Sequence, residues 1–187
     1  MSQRPPRHPI TVDEYYRLAE TGALSPEARV ELIEGEIVSM SPIGLLHEGI
    51  VTQLSEWLAS AGGTRALVRV QQSIRLSEHS EPQPDIVIAR RRSDYYATSR
   101  LTPSDTFLLI EVSDSSLHMD RYLKVPLYAR HAVPEVWICD LTTSEMHVFR
   151  SPAQGQYTHT YSIGKSGIVR LAAFEDIAID LSQLVWP

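Results

Sequence analysis

The sequence predicts a mixed α/β (α+β) fold, a central sheet flanked by helices, with a further helix and a hairpin ahead of it. Three observations carry that expectation. Asp85-Ile86-Val87-Ile88-Ala89 and Phe107-Leu108-Leu109-Ile110-Glu111-Val112 are apolar at consecutive positions, the pattern of strands covered on both faces. Leu46, Ile50, Leu54, Trp57 and Leu58 recur at helical spacing. No repeat or linker interrupts the 187 residues, so residues 1–187 read as one domain, with 1–9 a flexible basic tail.

The elements follow in order. Thr11-Val12-Asp13-Glu14 is a capping box that starts a short helix, which stops at Thr21-Gly22. Val30 to Met40 predicts a tight hairpin around Glu34-Gly35. A helix from about Leu45 to Ser60 ends at Gly62-Gly63. A strand is expected from Arg65 to Leu76. Ala66, Val68, Val70, Ile74 and Leu76 form its apolar face, and Arg65, Arg69, Gln71, Ser73 and Arg75 its polar face. After the two apolar strands comes a helix over about Ser116 to His131, kinked by Pro126. Glu135 to Leu141 and Glu145 to Arg150 predict a hairpin, Gln156 to Leu171 a last strand pair, and Asp180 caps a final helical turn.

Bulk properties narrow the function. With 43% hydrophobic and 21% charged residues, this is the composition of a globular protein. No stretch approaches the ~20 apolar residues of a membrane span, and the basic N-terminus lacks the apolar stretch of a signal peptide. The single cysteine, Cys139, lies within an apolar run, which fits a reducing cytoplasm. A net charge of -6 disfavours nonspecific coating of nucleic acid. It leaves room for a metal-dependent enzyme, whose site must concentrate carboxylates.

Two carboxylates stand out. Asp85 opens one apolar strand directly after Pro84, and Glu111 sits near the end of the other. An ionised carboxylate inside a protein must be paired, hydrogen-bonded or on a metal. Each taken singly could face solvent at its strand end. Together with the downstream Lys124 they form a candidate metal site.

These residues resemble the PD-(D/E)XK nuclease superfamily, and the ordered set resembles more closely the Uma-two family of restriction-endonuclease-like proteins. The matching stretches are Val30 to Glu36, Ser41-Pro42 with His47, Gln83-Pro84-Asp85, Glu111-Val112-Ser113 with Asp120 and Lys124, and Leu127 through Trp137. The resemblance implies a restriction-endonuclease-like fold and a Mg²⁺-dependent endonuclease, with Mn²⁺ as a substitute ion. Asp85, Glu111 and the backbone carbonyl of Val112 would be its ligands. A water activated at the ion would attack a DNA phosphodiester, with Lys124 orienting or deprotonating that water. The superfamily lysine is expected two residues after the glutamate, where this chain has Ser113; Lys124 is the candidate replacement, and a plain surface pair with Asp120 is the alternative.

Accessory candidates are Glu31, which the resemblance makes a possible further acidic ligand, together with His47, Gln71 and Asp120. Arg90, Arg91 and Arg92, with Arg69 and Arg75, are candidates to track a DNA backbone. A homodimer would suit cutting of both strands. The second reading is a nuclease-like scaffold that binds DNA or a protein partner without cutting.

Overall fold

In the computed structural model, which describes residues 8–25 and 27–187, Thr11 opens helix α1 (Val12–Glu20) through the expected capping box. The Glu14 amide donates to Thr11 Oγ1 at 3.2 Å, and the Thr11 amide donates to the Glu14 carboxylate at 2.8 Å. Most of the expected basic tail, residues 1–7, lies outside the described residues. Strands β1 (Val30–Ile33) and β2 (Glu36–Ser39) form the expected hairpin. Its turn places Glu34 at φ 49° and Gly35 at φ 78°, the paired left-handed conformation of a type I′ turn. A Cβ on Gly35 would lie 2.4 Å from Pro9 Cβ, so the position requires glycine for both conformation and space.

Helix α2 (Leu45–Gly62) buries Ile50, Val51, Leu54 and Leu58. The strand expected over Arg65 to Leu76 is shorter: β3 spans Ala66–Val70. Gln71 takes φ 48°, which turns the chain out of the sheet, and Val70 is left 40% exposed. Residues 71 to 85 make an irregular excursion instead, held by Ile74 N–H to Pro82 O and Leu76 N–H to Ser80 O, both 3.0 Å. This excursion docks on the first hairpin through Glu81 N–H to Leu32 O at 2.8 Å. It thereby carries Gln83 and Asp85 alongside Glu31.

Strands β4 (Ile86–Arg90) and β5 (Thr106–Ser113) follow, then β6 (Glu135–Asp140), β7 (Glu145–Ala153) and β8 (Gln156–Gly164). The central sheet runs β3-β4-β5-β6-β7-β8, antiparallel except for the parallel pair β5-β6. A parallel pair needs a crossover, supplied by the helical segment over 117–130. The fold is therefore the mixed α+β sheet that the sequence predicts. The last strand pair is corrected. β8 pairs back on β7, while β9 (Ile168–Leu171) pairs with a further strand, β10 (Phe174–Asp180). Asp180 then caps the final turn, accepting from the Ser182 amide at 3.0 Å.

The alternation of the apolar strands sorts the core into two layers. Ile86, Ile88, Leu108, Ile110 and Val112 pack toward α2 and the β9-β10 pair. Val87, Ala89, Leu109, Val136 and Ile138 pack toward Val125, Leu127 and Tyr128 of the crossover helix. Glu111 and Ser113 share the parity of Leu109, so both face the crossover helix. That helix departs from the simple kink expected at Pro126. It runs as α-helix over Leu117–Met119, π-helix over Asp120–Lys124 and α-helix again over Val125–Arg130. The wide turn, closed by Val125 N–H to Asp120 O, precedes the proline and makes room for a ring with no N–H to donate. Among the described residues no helix is long and apolar enough to cross a membrane.

Candidate active site

The ends of β4 and β5, the first hairpin, the start of α2 and the crossover helix meet at one cleft. Glu31, His47, Gln83, Asp85, Glu111, Val112, Asp120 and Lys124 line it, with Arg29 and the 40–44 and 114–116 loops. Asp85 stands where its position at a strand end predicts. Ile86 pairs with Ile110, so one further step of register sets Asp85 opposite Glu111. Its Oδ2 accepts from the Val112 amide at 2.8 Å and lies 3.2 Å from His47 Nε2. In a strand the N–H and C=O of one residue point to the same side. The Val112 carbonyl therefore faces the space beyond the start of β4, outside the β4-β5 ladder.

Lys124 is buried with its Nζ at 3.1 Å from Glu31 Oε1, 3.4 Å from Glu111 Oε1 and 3.7 Å from Asp120 Oδ1. The exposed Asp120–Lys124 pair is thus set aside, since both residues are buried. Burial works against the ammonium, but Glu111, Glu31 and Asp120 outweigh it and push its pKa up. Glu111 is shifted up as well. Its burial is the largest cause; Lys124 opposes the shift, and Asp120, Asp85 and Glu31 add to it. The His47 imidazole is lowered by burial but raised more by the Asp85 carboxylate, so its net shift is upward.

Ser113, at the place where the resemblance expects lysine, has a different task. Its hydroxyl donates to Asp120 Oδ2 at 2.7 Å, and that of Ser116 donates to the same oxygen at 2.6 Å. The two serines fix Asp120, and the same π-helical turn carries Lys124. Glu31 Oε2 accepts from the Gln83 amide at 3.0 Å. Its Oε1 faces Lys124 without an aligned hydrogen bond.

The other expected residues lie elsewhere. Gln71 touches the site only through its backbone, its N–H donating to Asp85 O at 2.8 Å, and its side chain is not in the cleft lining. Arg90, Arg91 and Arg92 sit at the far end of β4 from Asp85, about 16 Å away at strand rise. There they bond to Ser104 O, Gly63 O and the Asp94 carboxylate. Arg75 reaches Asp13 at 3.2 Å, and Arg69 lies along β3 outside the cleft.

Two residues escaped the sequence reading. Tyr128 donates its hydroxyl to Glu111 Oε1 at 2.6 Å, and Arg29 reaches the cleft rim, donating to Ser41 O at 2.9 Å. A polar-tipped tyrosine on the apolar face of the crossover helix was the available signal for the first. Arg29, in the loop just ahead of β1, gave none.

The donor set fits a hard divalent ion. Asp85 and Glu111 offer carboxylate oxygens on adjacent strands and Val112 an unladdered carbonyl. Mg²⁺ takes one or two carboxylates and leaves other positions to water and phosphate. Among the described residues no three His, Cys, Asp or Glu side chains converge as a metal cage.

A family model described as "Uma2: Putative restriction endonuclease" matches residues 12–182. Comparison with curated proteins gives no significant match. Among solved structures, a crystal structure described as a putative nuclease from Anabaena variabilis superposes with a TM-score of 0.73 at 19% identity, covering 94% of this chain and 97% of that one. At that identity the likeness shows a shared fold.

Proposed function

Because the chain belongs to the Uma2 family of restriction-endonuclease-like proteins, we propose that it is a Mg²⁺-dependent endonuclease that hydrolyses DNA phosphodiesters at the Asp85–Glu111 cleft. One observation carries the reading: a cleft open to solvent holds five carboxylates, Glu31, Asp85, Glu111, Asp114 and Asp120, against the single buried ammonium of Lys124. Asp85, Glu111 and the Val112 carbonyl would hold the ion, with Mn²⁺ able to replace it. When bound, Mg²⁺ would neutralise charge on the phosphate and lower the pKa of a coordinated water.

The chain's own residues do the rest. The Val112 amide and His47 both hold Asp85 Oδ2. Tyr128 and Lys124 hold Glu111 Oε1, so neither carboxylate has to reorganise during the reaction. Lys124 supplies the fixed positive charge beside the reacting phosphate, and Asp120 with its two serines keeps that charge in place. Two copies related by a twofold axis would cut both strands of a duplex.

Supercoiled plasmid incubated with Mg²⁺, with Mn²⁺ and with EDTA tests the proposal. Nicked or linear product is expected with either metal and not with EDTA. Binding of plasmid without cleavage under all three conditions would transfer the conclusion to the non-cutting scaffold.

A further inference from the structure

Beside the acidic cleft the edge of the sheet carries a second concavity of opposite charge. Arg69, Arg100, Gln71, Gln72, Ser73 and Ser99 line it, with Tyr96 and Leu101. The lining contains two arginines and no acidic residue. Arg69 donates its Nε to Gln72 Oε1 at 2.6 Å, and its guanidinium lies 5.0 Å from the centroid of the Tyr96 ring. Its Nη1, by contrast, is buried with no hydrogen-bond partner. A charged donor left unmade inside a protein is costly. Arg100 sits over the Tyr16 ring at 4.4 Å and reaches Glu81 only at 4.0 Å, which leaves much of its donor fork uncommitted. An anion with several acceptor oxygens is the ligand that these donors fit.

The pocket is joined directly to the cleft. Gln71, one of its lining residues, donates its N–H to Asp85 O at 2.8 Å and accepts at its carbonyl from Gln83 Nε2. Asp85 and Gln83 both line the cleft. A single backbone pair therefore separates the two concavities. A duplex strand presents a phosphate about every 3.4 Å of helix axis, so a strand lying over the cleft brings one past the arginine pocket.

We propose that the Arg69–Arg100 pocket binds a backbone phosphate of the nucleic-acid strand next to the cleft, clamping the strand independently of its sequence. The inference rests on the nuclease reading. It also answers the net charge of -6: the cation needed for the backbone is concentrated at one pocket.

The test is fluorescence anisotropy of a labelled duplex with Ca²⁺ in place of Mg²⁺, over a range of KCl, for wild type, Arg69→Gln and Arg100→Ala. Arg100 is half exposed, and thermal melting checks that both variants fold. Each variant should flatten the slope of log affinity against log salt by about 0.9, equally for duplexes of unrelated sequence. Unchanged slopes in both variants, with wild type binding normally, overturn the clamp and leave the nuclease reading standing. Wild type that binds no duplex overturns both. Inorganic phosphate that raises the melting temperature of wild type but not of Arg69→Gln, with equal duplex binding by the two proteins, marks a site for a free anion and also overturns the clamp.

Discussion

Glu135 and Glu111 are buried carboxylates on neighbouring strands of one sheet, and the protein treats them in opposite ways. Glu135 is closed off: Trp137 Nε1 donates at 2.7 Å, Arg150 Nε at 2.6 Å and the Ala172 amide at 2.8 Å. One carboxylate meets one guanidinium, and both its oxygens are engaged. Glu111 instead shares the Lys124 ammonium with Glu31 and Asp120, inside a cleft that also holds Asp85. Burial of a charge alone therefore does not mark a site, since a paired and fully hydrogen-bonded carboxylate is a structural part. An excess of one sign, kept next to solvent, is the informative feature.

The sharpest way to break this contrast is to remove the carboxylates of the cleft. Asp85→Ala and Glu111→Gln should each lower plasmid cleavage by ~10³-fold or more, the loss of several kcal/mol of charge stabilisation at about 1.4 kcal/mol per tenfold. Glu111→Gln should melt no lower than wild type in EDTA, because it relieves repulsion among like charges. Calorimetric titration with Mn²⁺ checks the metal half, and either variant retaining full Mn²⁺ affinity would move the site elsewhere.

Lys124→Ala comes next, with cleavage slowed by ~10²–10⁴-fold. Here the structure changes what stability should do. Removing the ammonium leaves Glu31, Glu111 and Asp120 buried without a cation, so the variant should melt lower in EDTA. Mg²⁺ should restore part of the difference by binding the folded state alone. Melting that neither falls in EDTA nor responds to Mg²⁺ would make Lys124 a bystander.

Much of the cleft was legible because its chemistry interrupts a pattern. Asp85 and Glu111 are each the single acid of a run that is otherwise apolar, and a charge at such a place needs a partner. Lys124 was legible through helical spacing from Asp120, although its burial was not: a lysine on a helix is ordinarily solvated. The arginine run lies away from the cleft for a topological reason. Arg90 follows Asp85 closely in sequence, yet a strand converts five residues into most of the width of the sheet. The strand over Arg65 to Leu76 failed at Gln71, whose φ of 48° nothing in its identity announces. β10 carried its signal, Ile177 and Ile179 buried at alternate positions, within a segment short of β-branched neighbours and rich in acids.

On the closed side of the contrast, Glu135→Ala should cost about 2–4 kcal/mol, since it strands Arg150 and two further donors. For a chain of this size that is roughly 5–15 °C in melting temperature. Cleavage per folded molecule should stay at the wild-type value. A cleavage defect in excess of the unfolded fraction would show that the two carboxylates belong to one network after all.

The smallest effect concerns a third buried carboxylate, Asp140, which belongs with Glu135. Burial raises its pKa, but hydrogen bonds from Thr142, Thr143 and His147 outweigh it and hold it below the usual carboxylate range. Oδ1 accepts from the Thr142 amide at 2.8 Å and its hydroxyl at 2.6 Å, while Oδ2 accepts from the Thr143 hydroxyl at 2.9 Å. A depressed pKa means that the unfolded chain binds the proton first as pH falls. Asp140 therefore contributes stability above the unfolded value of about 3.9 and loses it as pH drops through the lower folded value. Asp140→Asn removes that dependence at a cost of about 1 kcal/mol near neutral pH. Urea unfolding of both proteins between about pH 5 and pH 2 should show the gap closing, with other acids cancelling in the difference. A gap that stays constant would mean that the threonines hold the amide as well as the carboxylate, and that only shape, not charge, was selected at this turn.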